Sequence, residues 1–567
     1  MSSLLALRQA KTLSDVALLL NVEPKVLSFA LYIIPDAKKY TSFEIRKKNG
    51  GTRQILAPTG LLKNIQLNLA RFLEACEAEI TKERDVTQNN NLAHGFKVGY
   101  SIASNAKAHR NKRFVFNVDL KDFFPSITFG RVYGFFLKND RYKLNSVVAT
   151  IVSQIACHNN SLPQGSPCSP IISNIIANVL DIHLNTLSRR HRCTYTRYAD
   201  DLTFSTNEKH FPSAIAVIES ETGDKWIAGD GLVSRIFRHG YRLNHSKTRM
   251  QYRASRQDVT GLVVNEKLNI STDYYHLVRA MCHQLFNTGT SYDIKNGVSF
   301  PVSDDRLRGM LNHVYFIKTQ ANERPYPSQA SEPAFSRLYA DFLNYISFYG
   351  IEQPTIIGEG VTDTIYLKAA INRLAARYPS LLKSEDGKTS IAINFFRYGK
   401  TSRLVQDLSG GTGELKNLLG SYRKKISKFK YGGKQPVIIL VDNDSGTKHL
   451  FAVLKEITGK KVDGSEPFYY AYANLYVVPV PKSGNGNDAI EGLFPPALLT
   501  TIYKGKTLDP TNKETDGDKV YSKHTFAKQV VRAGQNSIDF SGFTPLLDAI
   551  VAVKEDYKNR IAAAATP

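Results

Sequence analysis

Two carboxylates stand side by side in "CTYTRYADDLTFS", a run whose aromatic and β-branched residues otherwise read as a strand. Successive strand residues face opposite sides of a sheet, so Asp200 and Asp201 spoil both faces unless a tight turn carries them out of the ladder. Ala-Asp-Asp is acceptable turn chemistry, and the plainest reading is a hairpin tip in water. The sharper reading is a metal site awaiting a third carboxylate. Upstream, in "RFVFNVDLKDFFPSI", an apolar strand ends on Asp119. Asp119, Asp200 and Asp201 together make hard oxygen ligands for two Mg²⁺ ions. Nucleotidyl transfer holds such ions about 4 Å apart, one activating the attacking hydroxyl and one steadying the triphosphate.

The bulk charge agrees with a polyanionic partner. The chain of 567 residues is too long for one core, so two or three domains are expected. Its formal net charge is +23, of which +15 falls in residues 1–350 and +8 in residues 351–567. A surface this basic attracts nucleic acid and releases its counterions, most strongly in the N-terminal part. Five scattered cysteines without a C-x-x-C pair indicate neither a disulfide framework nor a zinc site, and a reducing cytoplasm fits. The opening "MSSLLALRQAKTLSDVALLLNV" is broken by Arg8, Lys11 and Asp15 at helical spacing and reads as an amphipathic helix, with no membrane span expected here or later.

Along the chain, residues 1–90 read as helices around a hairpin, "FEIRKKNGGTRQILAP", turning at Asn49-Gly50-Gly51. Residues 91–275 alternate strands and helices. Residues 276–320 are expected to be helical throughout, and 321–350 to hold a proline-rich linker, "KTQANERPYPSQASEP", and a connecting helix. A second α/β pattern fills 351–567.

Between Asp119 and Asp200 lies "LPQGSPCSPIISNIIANVLDIHL", a Gly/Pro/Ser loop running into an apolar helix, with Gln164 able to hydrogen-bond a nucleotide. A strand ending in Asp, a Pro-Gln-Gly loop with its helix, and a Tyr-Ala-Asp-Asp hairpin, in that order, resemble the motif set of reverse transcriptases. The resemblance implies a right-hand α+β polymerase with fingers and palm in 91–275 and a thumb in 276–320. It gives Asp119, Asp200 and Asp201 the catalytic metal-ligand roles. Phe124 stands where this family keeps an aromatic gate against the sugar 2′-hydroxyl, which favours dNTPs. Arg53, in a hairpin similar to the fingers hairpin, is expected at the triphosphate, and Lys247 of "YRLNHSKTRM" near the incoming nucleotide.

Two further stretches, Asn105 and His109 in "SNAKAHRNK" and Val259-Thr260-Gly261 in "SRQDVTGLVVN", resemble signatures of bacterial retron reverse transcriptases. Alone, the first reads as a helical hydrogen-bonding face and the second as a strand entering a turn. The retron resemblance implies RNA recognition through these residues. Its partner would be a structured noncoding RNA, primed from a 2′-hydroxyl and copied into short DNA that stays linked to RNA.

The C-terminal pattern carries its own acids. "QPTIIGEGVTDTIYLKAAINRLAARY" reads as an apolar strand, Glu359, a Gly turn and a helix, and "KQPVIILVDNDSGTKHL" repeats the design with Asp442 and Asp444. The continuous apolar runs suit strands buried on both faces of a parallel sheet, and carboxylates at adjacent strand ends share one crevice. This pattern resembles the Rossmann-like Toprim domain of topoisomerases, primases and OLD-type nucleases. The resemblance makes Glu359, Asp442 and Asp444 catalytic, with one or two Mg²⁺ held by them together with Asp363 and Glu491. Asp488 is similar to a further acid of the nuclease branch, and Lys523 to its basic residue. The Gly-rich "DLSGGTGELKNLL" lacks the Gly-Lys-Ser/Thr of a P-loop and is read as a strand-to-helix turn.

The order of parts is similar to the Ec67-type retron enzymes of enterobacteria. That likeness implies a bacterial anti-phage system in which the second domain cuts a nucleic-acid target, with a homo-oligomer possible in principle. The alternative keeps the polymerase active and makes the second domain a processing or binding module.

Overall fold

The strand Phe114–Asp119 is apolar apart from Asn117 until its last residue, and it occupies the interior of a four-stranded antiparallel sheet. Thr194–Tyr198, Asp201–Thr206, Phe114–Asp119 and Arg249–Tyr252 follow one another across that sheet. Its register sets Asp119 directly opposite Asp201. Like charges so placed destabilise a ladder. The computed structural model that carries this sheet describes residues 2–46, 50–83, 92–219, 225–295, 297–321, 333–482, 488–509 and 516–565. The turn residue Asn49 and most of the proline-rich linker lie outside the described residues.

The chain divides into two units, Met1–Ser271 with Ile317–Glu323, and Thr272–Phe316 with Arg324–Pro567. In the first, the long helices Gly60–Glu83 and Ser169–Arg190 share an apolar core with the sheet. The basic hairpin pairs Tyr40–Arg46 with Thr52–Pro58. The N-terminal segment is two helices, not one: Ser3–Gln9 and Leu13–Leu19 are separated where Thr12 and Asp15 form a reciprocal capping box. No single helix among the described residues is long and apolar enough to cross a membrane.

The second unit is built on a five-stranded sheet in the order Asn394–Phe395, Thr355–Ile357, Val437–Val441, Leu475–Pro479, Tyr469–Tyr472. The first four strands run parallel and the last antiparallel. All five residues of Val437–Val441 are buried, as the two-sided cover of a parallel sheet demands. The expectation that residues 276–320 are helical throughout is corrected: between the helices Thr272–Thr288 and Asp304–Gln320 a hairpin of Ser291–Lys295 with Val298–Val302 intervenes. Its signal is the Asn296-Gly297 dipeptide between alternating apolar residues, masked in the sequence by the stronger helical patterns on either side. The Gly-rich segment also differs from expectation. It follows a π turn, Ser402–Gln406, and leads into the helix Thr412–Ile426, so no strand enters it.

Candidate active sites

The paired acids sit on a two-residue hairpin: Tyr198 pairs with Asp201, and Ala199 takes a left-handed φ of 55°. Alanine resists that conformation, so the surrounding contacts hold it. Gly95 lies so close that a Cβ there would stand 2.7 Å from Ala199 N. Beneath the turn the guanidinium of Arg197, wholly buried, makes 2.8 Å bonds through Nε and Nη2 to the two carboxylate oxygens of Asp181. Its Nη1 donates to the Ala199 carbonyl at 3.1 Å and to Asn174 Oδ1 at 3.2 Å. Asn174 Nδ2 in turn donates to the Gly95 carbonyl at 2.8 Å. The turn is thus clamped from below by an ion pair and from the side by a glycine.

Above this clamp the carboxylates of Asp119, Asp200 and Asp201 form one electrostatic cluster. Burial, reinforced by Asp119, raises the Asp200 carboxyl, and burial with Asp200 and Asp119 pushes Asp201 up to about 6. Asp201 opens to solvent on one side, yet it is enclosed on the others by protein and by two acids. Lys247 Nζ lies 2.6 Å from Asp119 Oδ2, and Asn244 Nδ2 donates to Asp119 Oδ1 at 3.1 Å. Burial opposes charge on Lys247, but the bond to Asp119 and the other two acids raise its affinity for the proton. Arg53 is exposed on its strand and lies within electrostatic reach of Asp200. Among the described residues no group of three or more His, Cys, Asp or Glu side chains is arranged to hold a metal ion. The donor set is nevertheless all hard oxygen and crowded, which fits a divalent ion of the Mg²⁺ kind.

The Gln164 loop docks onto the basic hairpin, where Leu56 N donates to the Gln164 carbonyl at 2.7 Å. Gly165 has φ of 119°, and a Cβ there would meet Leu56 O at 2.7 Å and Ile55 at 2.8 Å. Ser166 Oγ donates to Gln66 Oε1 at 2.8 Å, anchoring the loop in the core. Phe124 is half-buried, 5.4 Å from the Phe123 ring and 6.1 Å from that of Phe96, centroid to centroid.

Asn105 and His109 lie on the inside, both wholly buried. Thr196 Oγ1 donates to Asn105 Oδ1 at 2.6 Å, leaving its oxygen to accept from His109 Nε2 at 2.7 Å. His109 Nδ1 then accepts from Ser205 Oγ at 2.7 Å. Burial, with Lys112 nearby, holds the imidazole neutral by lowering its pKa to about 3. These two residues brace two sheet strands from within and present no surface to an RNA. Val259 is buried as well, whereas Thr260 and Gly261 form a left-handed turn with φ of 47° and 79°. Thr260 Oγ1 donates to the Ile102 carbonyl at 3.3 Å, on the helix that bears Asn105.

In the second unit, Glu359 and Asp442 follow the carboxyl ends of neighbouring parallel strands. Glu359 Oε1 accepts from Asp442 N at 3.2 Å and Oε2 from Thr412 Oγ1 at 3.0 Å. Gly411 N donates to the Glu359 carbonyl at 2.9 Å, so the Gly-rich segment is one wall of this crevice. Burial, then Asp442, lifts Glu359 to about 7, and burial with Asp363 and Glu491 lifts Asp442 to about 7. Asp363, the helix-capping partner of Gly360 N at 2.9 Å, is pushed by burial to about 6. Lys523 Nζ sits 3.1 Å from the buried Glu491. Asp444 is exposed and caps its own loop through Gly446 N at 2.8 Å, though its charge reaches Glu359. Asp488 is at hand through its carbonyl, which accepts from Asn443 N at 2.8 Å. Asp181, Asn174, Asn244 and Thr412 were not apparent from sequence; each is an ordinary polar residue in a helical or loop pattern.

Comparison with known proteins bears on the first of these sites. The family model "Reverse transcriptase (RNA-dependent DNA polymerase)" matches residues 45–264, a span holding Asp119, Asp200 and Asp201. The retron Mx65 reverse transcriptase of Myxococcus xanthus is 33% identical over 331 residues, 55% of this chain and 70% of that protein. The retron Ec86 reverse transcriptase of Escherichia coli is 29% identical over 321 residues, 56% of this chain and 89% of that one. An apo telomerase structure from Candida tropicalis aligns with 13% identity over 54% of this chain and 60% of that chain, at a TM-score of 0.29, too slight a likeness to carry argument. On its sequence relatives, the chain belongs to the retron reverse transcriptase family.

Proposed function

We propose that the chain copies part of a structured noncoding RNA into single-stranded DNA that stays linked to RNA, and that its second unit is a Toprim-type, Mg²⁺-dependent nuclease acting in anti-phage defence. The observation that supports the copying reaction is the clamped hairpin bringing Asp200 and Asp201 against Asp119. These three carboxylates would hold Mg²⁺, which when bound activates the primer hydroxyl and neutralises the triphosphate. Arg53 and Lys247 add positive charge for the triphosphate, the Gln164 loop lines the base, and Phe124 bars a 2′-hydroxyl. Thr260 and Gly261 are the retron-signature residues that remain available to RNA, with Asn105 and His109 shaping the support behind them. The bacterial cytoplasm is the compartment this reading implies.

For the second unit, Glu359 and Asp442 at adjacent strand ends, with Asp363, Asp444 and Glu491 around them, support a hard-metal site for phosphodiester hydrolysis. Lys523 would balance the cluster through Glu491. The order of parts is similar to the Ec67-type retron enzymes. The test is to isolate the protein from expressing cells and sequence the nucleic acid that copurifies, with and without ribonuclease. A branched RNA-DNA hybrid is expected, and its persistence in an Asp200→Asn/Asp201→Asn variant would sink the polymerase assignment.

A further inference from the structure

A cavity of about 910 Å³ lies in the second unit, and none of the acids discussed above lines it. It opens beside the edge strand Asn394–Phe395 of the five-stranded sheet, and its volume is within the usual range for small-molecule sites. Four cations line it, Arg308, Lys368, Arg397 and Lys400, and no Asp or Glu does. Arg308 is shared with Asp305 at 3.0 Å, while no ion pair joins Lys368, Arg397 or Lys400 to a described carboxylate. Lys368 instead lies over the Phe395 ring, 5.1 Å from its centroid. An unbalanced cationic wall next to aromatic and aliphatic side chains, among them Leu343, Ile346, Ile391 and Phe396, suits a ligand with one anionic and one flat apolar end.

One buried polar atom points the same way. Thr355 lines the cavity at 3% exposure, and its Oγ1 has no hydrogen-bond partner among the described residues. A buried hydroxyl left unpaired costs about 1–3 kcal/mol, a penalty that a ligand's donor or acceptor would remove. The wall is also held in place: Tyr398 Oη donates to the Gly358 carbonyl at 2.6 Å, and Ser402 Oγ accepts from Gly399 N at 2.8 Å.

We infer that this cavity binds a nucleoside polyphosphate, its phosphates on Lys368, Arg397 and Lys400 and its base against the apolar wall, with Thr355 completing a hydrogen bond. The site shares no lining residue with the nucleotide site of the polymerase and needs no divalent ion, because the protein supplies the countercharge.

Isothermal titration of the full chain with ATP in EDTA tests this. Saturable binding is expected, weakened at least tenfold by Lys368→Glu/Arg397→Glu, with the circular dichroism spectrum and thermal melt of the chain unchanged as proof that the second unit stays folded. Thr355→Val is the second variant. It is expected to weaken ATP several-fold and to raise the melting temperature of the free protein, a combination that a merely structural threonine would not give. No binding by the wild type, or binding unaffected by the charge reversal, overturns the inference. So does inorganic triphosphate binding as tightly as ATP, or a single-stranded oligonucleotide that binds the cavity while ATP does not.

Discussion

His109 illustrates how a residue of a family signature can act without touching a ligand. Its ring is neutral because charging it would strand a cation between Thr196 and Ser205 where no acid among the described residues offsets it, and its pKa falls to about 3. The unfolded chain takes up this proton near pH 6.5 and the folded one refuses it until about pH 3. The folded-state pKa is the lower, so the unfolded state binds more protons throughout that window. Stability is full above about pH 6.5 and falls as pH drops, by about 2 kcal/mol between pH 7 and pH 5 from this group alone. In His109→Gln that slope disappears. Melting temperatures of the two proteins at pH 7 and pH 5 provide the check: the wild type must lose more than the variant on acidification. An equal loss would mean that the ring carries a proton inside the fold.

At the scale of elements, the strand ending in Asp119 and the Asp200-Asp201 hairpin were legible because each is a local pattern: a run of apolar residues, then a turn. The clamp below them was not. Asp181 sits on an apolar helix where a single acid looks like a solvated face, and only the fold brings it against Arg197, sixteen residues on. Breaking a buried pair leaves a bare charge and costs about 3–5 kcal/mol, whereas removing both partners costs far less. Arg197→Met should therefore destabilise the first unit and cut DNA synthesis together, and Arg197→Met/Asp181→Leu should regain most of the stability but not the rate, since the Ala199 carbonyl stays unheld. Urea melts and primer extension separate the two; full recovery of rate in the double variant would show that the clamp only stabilises. Gly165 gives a complementary test at the neighbouring loop. Its φ of 119° and the backbone 2.7 Å away leave no room for a methyl group. Gly165→Ala is expected to raise KM for dNTPs at least tenfold with little change in melting temperature, because the loop shifts while the core beneath it stays.

For the whole molecule, the second sheet was readable where its strands are long, as in the fully buried Val437–Val441. The edge strand Asn394–Phe395 was not, since two residues carry no periodicity. The parallel order nonetheless brings Glu359 and Asp442 together from positions 83 residues apart, and burial, reinforced by neighbouring acids, pushes both to about 7. On the proposed function the two acidic clusters, in separate units, carry two separable activities, and substitutions that keep volume while removing charge can divide them. Glu359→Gln or Asp442→Asn removes a buried carboxylate from this acidic cluster, so the second unit should fold at least as well as the wild type. Each is expected to abolish nucleic-acid cleavage, by roughly a thousandfold or more on the scale of lost metal activation, and to leave the yield of RNA-linked DNA in cells unchanged. Asp200→Asn/Asp201→Asn is expected to do the reverse to DNA synthesis. Cleavage by the purified double variant, assayed on single-stranded and duplex substrates with Mg²⁺, decides between a nuclease and a binding module: undiminished cleavage that Glu359→Gln then removes assigns the activity to the second crevice, and cleavage indifferent to Glu359 leaves that crevice a site for binding alone.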